Sequence, residues 1–131
     1  EEYKSKLVIV GFPANNFLAQ EPGSDAEIQE FCSLNYQVSF PLFAKISVAG
    51  EDKHPLYQSL TTAIPERIGE GPWWKDLVDY GLTPNPKPVG LWNFEKFLIN
   101  KQGEVVARFA PDITADDARI VDAVNAELAK S

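Results

Sequence analysis

Lys6 is followed by four consecutive apolar residues, Leu7, Val8, Ile9 and Val10, and then by Gly11, Phe12 and Pro13. A short apolar run without polar alternation, closed by Gly and Pro, predicts a strand covered on both faces. Such strands belong to parallel sheets, whose neighbours must be joined by crossover helices, so the run commits the chain to an α/β arrangement. Residues 1–6, charged or polar apart from Tyr3, read as the last turn of a helix leading into this strand, half of a βαβ unit.

The remaining elements follow in a definite order. Ser24 and Glu27 form a capping-box pattern, and Ile28, Phe31 and Cys32 recur at helical spacing, which predicts a helix over 25–34. Residues 38–48 have strand-like composition interrupted by Pro41, so the strand there is short or irregular. A turn at Gly50 precedes a short helix from Pro55 through Leu60, with Asp52 as its cap. Residues 61–90 form a long connection punctuated by proline, with a helix from Trp73 to Tyr80 closed by Gly81; Pro84, Pro86 and Pro88 favour extended backbone. Phe94, Phe97 and Ile99, then Asn100 to Gly103, then Val105, Val106 and Phe109 predict a β-hairpin. Thr114 and Asp117 resemble a capping box with a shorter acid, and Ile120, Val121, Val124 and Leu128 make one apolar stripe of a closing helix. The order predicts one domain over 1–131 with a mixed sheet and flanking helices.

Charge and composition exclude several functions. A formal net charge of -7 repels phosphate backbones and anionic lipid heads, so neither nucleic acid nor a membrane surface is expected as a partner. No apolar run approaches the roughly 20 residues of a spanning helix. The single cysteine, Cys32, cannot form an intrachain disulfide and fits a reducing, cytoplasmic setting; by itself it reads as a small buried hydrophobe. The chain contains no methionine and begins with Glu1, so translation is expected to start upstream of it. The single histidine, His54, lacks a second ligand at metal spacing; Gly11 is isolated, with no phosphate cradle after it; no nucleophile elbow is present. No metal or organic cofactor is expected.

Three stretches are more specific. The first is Gly11-Phe12-Pro13-Ala14-Asn15-Asn16-Phe17 with Gln20-Glu21-Pro22-Gly23 and then Ala26-Glu27-Ile28. The second is Gly50 with His54-Pro55-Leu56-Tyr57. The third is Trp92-Asn93-Phe94-Glu95-Lys96-Phe97-Leu98-Ile99, with Gly103 and Arg108-Phe109-Ala110-Pro111 after it. Each resembles a signature of the glutathione peroxidases, in the same order, over nearly the whole chain.

The resemblance implies a thioredoxin-like fold and a thiol-dependent peroxidase. Hydrogen peroxide or organic hydroperoxides would be the substrates, and glutathione or thioredoxin the reducing partner. In that family a peroxidatic cysteine or selenocysteine sits where the opening strand meets a helix, supported by a Gln, a Trp and an Asn. Those three fall on Gln20, Trp92 and Asn93, whose uncharged donors would stabilise the anionic nucleophile. Read without the resemblance, Gln20 is a loop residue before a turn, and Trp92 and Asn93 a strand-leading aromatic with a turn-type neighbour.

The departures from the family pattern carry their own expectations. Ala14 stands where many members have cysteine, Asn16 where Gln is usual, and Leu18 where Gly is usual. Members that use thioredoxin carry a resolving cysteine on the helix after the Gln-Glu-Pro-Gly turn; its place falls on Ser33, and Cys32, about 100 degrees around the helix, is the candidate resolving thiol. The opening βα unit with the nucleophile is expected to be missing from these residues. Its loss would leave ladder groups unpaired on both neighbouring strands, which leaves three outcomes open: sequence upstream of Glu1, a strand from a second chain, or direct pairing in a rearranged sheet. Association through exposed sheet edges is one expectation. The alternative to an enzyme is a non-catalytic relative serving as a binding or assembly module.

Overall fold

The computed structural model describes residues 6–16, 21–36, 38, 40–69, 72–81 and 94–130, with backbone alone at 72–74 and 77. The chain divides into two compact units, Glu1–His54 and Pro55–Ser131.

In the first unit, helix α1 runs over Asp25–Tyr36. It begins as the capping pattern predicts: the Ser24 hydroxyl accepts from the Glu27 N–H at 3.3 Å and donates to the Glu27 carboxylate at 2.9 Å. Of the predicted apolar positions only Ile28 is buried; Phe31 is 52% exposed. The strand expected at Leu7–Val10 does not form, and Val8 is 81% exposed. Contact begins one residue later, where Gly11 makes a lone parallel bridge to Leu42. The Gly11 N–H donates to the Pro41 carbonyl and the Phe43 N–H to the Gly11 carbonyl, both at 2.9 Å. Pro41 has no N–H to give, so a regular ladder cannot propagate past it, which is also why 38–48 stays irregular. Further along, the Ile46 N–H donates to the Pro13 carbonyl, and the Phe12 and Phe43 rings stack with centroids 5.1 Å apart. The turn at Gly50 is present, with φ +88°.

The second unit opens with α2, Pro55–Ala63, longer than predicted by three residues. Asp52 does not cap it; its carboxylate accepts from the Ser47 hydroxyl at 2.9 Å. Helix α3, Pro72–Asp79, places Pro72 at its first position and ends at Gly81, whose φ is +77°. The predicted hairpin consists of β1, Lys96–Ile99, and β2, Val105–Phe109, paired antiparallel with an irregularity between Leu98 and Ile99. In its turn the Asn100 side chain accepts from the N–H groups of Gln102 and Glu104, and Gly103 adopts φ +83°. Ile68 adds a parallel bridge on the other side of Phe109. Gly69 is required just after it: with φ +109°, a Cβ there would lie 2.9 Å from Ile113 Cδ1.

The closing helix α4 covers Ala118–Ala129. Its cap is Asp117, which accepts from the Arg119 N–H, and not Thr114, whose hydroxyl donates to Asp116. The chain bends through turns at 111–116 before the helix can start, so the cap falls three residues late. Period-two alternation then sorts the hairpin. Ala107 and Phe109, with Ala110 and Ile113, form a core against which Leu98 and the α4 residues Ile120 and Ala123 pack. Phe97 and Arg108, directly paired, take the opposite face, where Phe97 meets the Tyr57 ring of α2 edge-on at 5.9 Å.

Candidate functional site

Gln20, Trp92 and Asn93 lie outside the described residues, as does Leu18, so the structure bears instead on the residues that border them. Cys32 sits half-buried on α1, its carbonyl accepting from the Val38 N–H at 3.2 Å. Ala14 is half-buried, and Ser33 is exposed.

The described residues that flank 17–20 are tied down by hydrogen bonds. Before that stretch, Asn15 accepts from the Glu21 N–H at 2.9 Å. Asn16 accepts from the Val48 N–H at 2.8 Å and donates to the Ala49 carbonyl at 3.2 Å and the Ser47 hydroxyl at 3.1 Å. A planar amide, with an acceptor and two donors, suits this arrangement of backbone groups. After it, the Lys45 ammonium donates to the carbonyls of Glu21 and Gly23, while the Lys45 N–H donates to Asp25 at 2.8 Å.

Trp92 and Asn93 are followed at once by two unusual residues. Phe94 is the sole non-glycine among the described residues with positive φ, +65°. Glu95 is nearly buried, with its side chain 5% exposed, and its Oε1 accepts from Nε of Arg67 and, at 2.8 Å, from Nε of Arg108; both guanidiniums are fully enclosed. Arg108 also donates to the carbonyls of Ile64 and Pro65 at 3.2 and 3.3 Å, just past the end of α2 where carbonyls lack helical partners, and lies 5.2 Å over the Phe97 ring. Burial, and secondarily the charge of Glu95, holds the Tyr57 phenol above its ordinary range. Lys96 spans to the other side, donating to the carbonyls of Ile113 at 2.6 Å and Pro111 at 3.1 Å; burial lowers its pKa, with Asp112 and Glu95 opposing.

No group of three His, Cys, Asp or Glu side chains able to hold a metal occurs among the described residues. His54 is exposed, its N–H donating to the Ser47 carbonyl at 2.8 Å.

The family profile described as Glutathione peroxidase matches residues 1–61. The thioredoxin/glutathione peroxidase BtuE of Escherichia coli is 44% identical over 126 residues, covering 95% of this chain and 69% of its own length. The chain belongs to the glutathione peroxidase family. The glutathione peroxidase homolog BsaA of Bacillus subtilis is 41% identical over 106 residues, 81% of this chain and 56% of its own. Among solved structures, Trgpx in apo form superposes with a TM-score of 0.59 at 31% identity, covering 95% of this chain and 61% of that one. T. cruzi GPX1 gives 0.62 at 27% identity, covering 97% and 64%. The chain thus spans between 56% and 69% of the length of these glutathione peroxidase relatives. Its fold is the thioredoxin-like α/β fold of that family, and no described helix is long and apolar enough to cross a membrane.

Sequence reasoning gave Lys45 and Arg67 no place, and it quoted Asn16, Glu95 and Arg108 within family stretches without the bonds that they make. For Arg108 a signal existed: in the predicted hairpin it alternates with Phe109 and so takes the opposite face.

Proposed function

We propose that the protein is a thiol-dependent peroxidase that reduces hydrogen peroxide or organic hydroperoxides with electrons from glutathione or thioredoxin. The observation that carries this reading is the 44% identity to the Escherichia coli thioredoxin/glutathione peroxidase over nearly the whole chain. A peroxidatic thiolate or selenolate attacks one peroxide oxygen, the O–O bond breaks, and the departing oxygen takes a proton and leaves as water or alcohol. A thiol, of glutathione or of Cys32 on the thioredoxin route, attacks the resulting sulfenic or selenenic acid, whose oxygen leaves as water. The disulfide so formed is reduced by thiols of the reductant, which emerge as a disulfide. Gln20, Trp92 and Asn93 are assigned the stabilisation of the anionic nucleophile, by amide and indole N–H groups that carry no competing charge. Cys32 is assigned the resolving role. No metal or organic cofactor takes part, and the setting is the cytoplasm.

The test is peroxide consumption by the full-length gene product with each reductant. Trp92→Phe is expected to slow peroxide reduction roughly 100-fold, the usual effect of removing one preorganised donor. Gln20→Ala and Asn93→Ala should fall in the same range, and Cys32→Ser should abolish turnover with thioredoxin alone. No consumption with either reductant would favour the alternative, a non-catalytic assembly module, whereas three variants as fast as an active parent would take the catalytic assignment away from Gln20, Trp92 and Asn93.

A further inference from the structure

We propose that the Arg67–Glu95 pair is a latch on the chain's own sheet edge: it seats residues 64–69 along the outer side of β2, and so keeps β2 from pairing with β2 of a second copy.

β2 is a strand that needs such cover. Its residues, Val105-Val106-Ala107-Arg108-Phe109, are rich in β-branched and aromatic side chains, which favour extended pairing. Its one charge does not guard the edge, because Arg108 turns into the enclosed cluster with Glu95. A strand of this kind with open ladder groups is a template for another chain. On the side away from β1, the Arg108 carbonyl accepts from the Ile68 N–H at 2.8 Å, and the Ala110 N–H donates to the Ile68 carbonyl at 2.9 Å. The strip over 64–69 thus occupies the groups that a foreign strand would take.

Apolar burial does not hold the strip in place. Pro65, Glu66 and Gly69 are exposed, Ile64 is half-buried and Ile68 is 41% exposed, so no alternation of side chains sets the register. Arg67 is different. Its guanidinium is fully enclosed, and its Nε–H donates to the Glu95 oxygen that also accepts from Arg108 of β2. Arg108 in turn donates to the carbonyls of Ile64 and Pro65, where the strip begins. One carboxylate therefore joins the strip to the strand that it covers, through bonds whose direction is set by the planar guanidinium.

The strip also has only one seat. A slip of one residue either way brings a residue with a Cβ to the place of Gly69, where that atom would lie 2.9 Å from Ile113 Cδ1. In one of the two directions Glu66 would also take the place of Arg67 and face Glu95, charge against like charge. Without Arg67 the strip is therefore expected to lift off and not to slide, which opens the edge.

The experiment measures amide hydrogen exchange by NMR and molar mass by light scattering over a range of concentrations, on the full-length gene product and its variants. Arg67→Ala leaves Glu95 paired with Arg108. It is expected to speed exchange at Ile68 and Ala110 by roughly tenfold to a hundredfold, as loss of one charged hydrogen bond allows, while Val124 on α4 exchanges at the parent rate. The molar mass should then rise with concentration toward twice that of the parent. Arg67→Lys, which keeps the charge but not the aimed Nε–H, should show the same local acceleration to a smaller degree, and it judges the latch even if Arg67→Ala does not fold. Ile68→Pro removes a ladder donor without touching a charge, and it should associate as Arg67→Ala does. Unchanged exchange at Ile68 and Ala110 in the Arg67 variants overturns the latch. So does acceleration shared equally by Val124, since the pair would then support the whole unit and not the strip. Fast exchange at Ala110 in proteins that keep the parent molar mass overturns the guarding of the edge.

Discussion

Around residues 17–20 the hold on the backbone is made of two asparagine amides and one lysine reaching main-chain carbonyls, whereas beside Asn93 it is made of two enclosed guanidiniums on one carboxylate. The first arrangement is partly open to solvent, so most of its lost hydrogen bonds can be replaced by bonds to water, the buried Val48 N–H being the exception. The second is sealed, so a lost partner leaves a charge with no solvent to take its place. Two stretches that border proposed catalytic residues are thus secured by different physics. The difference predicts which one tolerates change.

The largest effect is expected at Arg108. Arg108→Met keeps the approximate volume but removes the bonds to Glu95, Ile64 and Pro65 and the contact with Phe97. Breaking one member of a buried ionic cluster should destabilise by about 3–5 kcal/mol in urea denaturation. A cost near zero would mean that the cluster is not sealed.

Asn16→Ala is the matching change on the other side. It removes bonds to Ser47, Val48 and Ala49, and orphans the buried Val48 N–H, which should cost about 1–3 kcal/mol. If Asn16→Ala proves as damaging as Arg108→Met, the distinction between an open amide frame and a sealed ionic one is lost.

The same contrast explains what the sequence could reveal. The hairpin, α1 and the stripe of α4 announce themselves through turn chemistry, a cap and a 3.6-residue period, all encoded within a dozen neighbours. Leu7–Val10 misleads because an apolar run states what a strand requires and not whether a ladder reaches it; Pro41 halts the one described bridge beside it. The late start of α4 turns on 111–116: Thr114 reads as the cap with Asp117 as the acid of its box, but the turns there delay the helix and Asp117 becomes the cap. Glu95 belongs to a signature stretch yet shows no role in sequence, since nothing in Phe94-Glu95-Lys96-Phe97 marks the glutamate as buried. Only the joining of residues 67, 95 and 108 in space shows it buried. Gln20, Trp92 and Asn93 are reached through resemblance alone, as uncharged donors in loops carry no periodic signal.

An exposed pair of the same chemistry calibrates the sealed cluster and should give the smallest effect. Asp117 accepts from Nε of Arg119 at 2.9 Å and from its second terminal nitrogen at 2.8 Å, and these bonds, then the Arg119 N–H, hold its pKa down to about 2 from 3.8. Because the folded value lies below the unfolded one, the contribution of this carboxylate is complete above pH 3.8 and fades as pH falls toward 2. Asp117→Asn keeps an acceptor for the Arg119 N–H but has nothing to protonate. Melting curves of parent and variant should therefore differ by a small constant amount above about pH 5, and converge as acid is added through the window that the lowered pKa defines. Added salt should shrink that difference, because both side chains face water, while leaving the effect of Arg108→Met in place. A gap that persisted unchanged down to pH 2 would show that Asp117 acts through its shape alone, and the comparison between exposed and enclosed arginine–carboxylate pairs would then rest on Arg108 by itself.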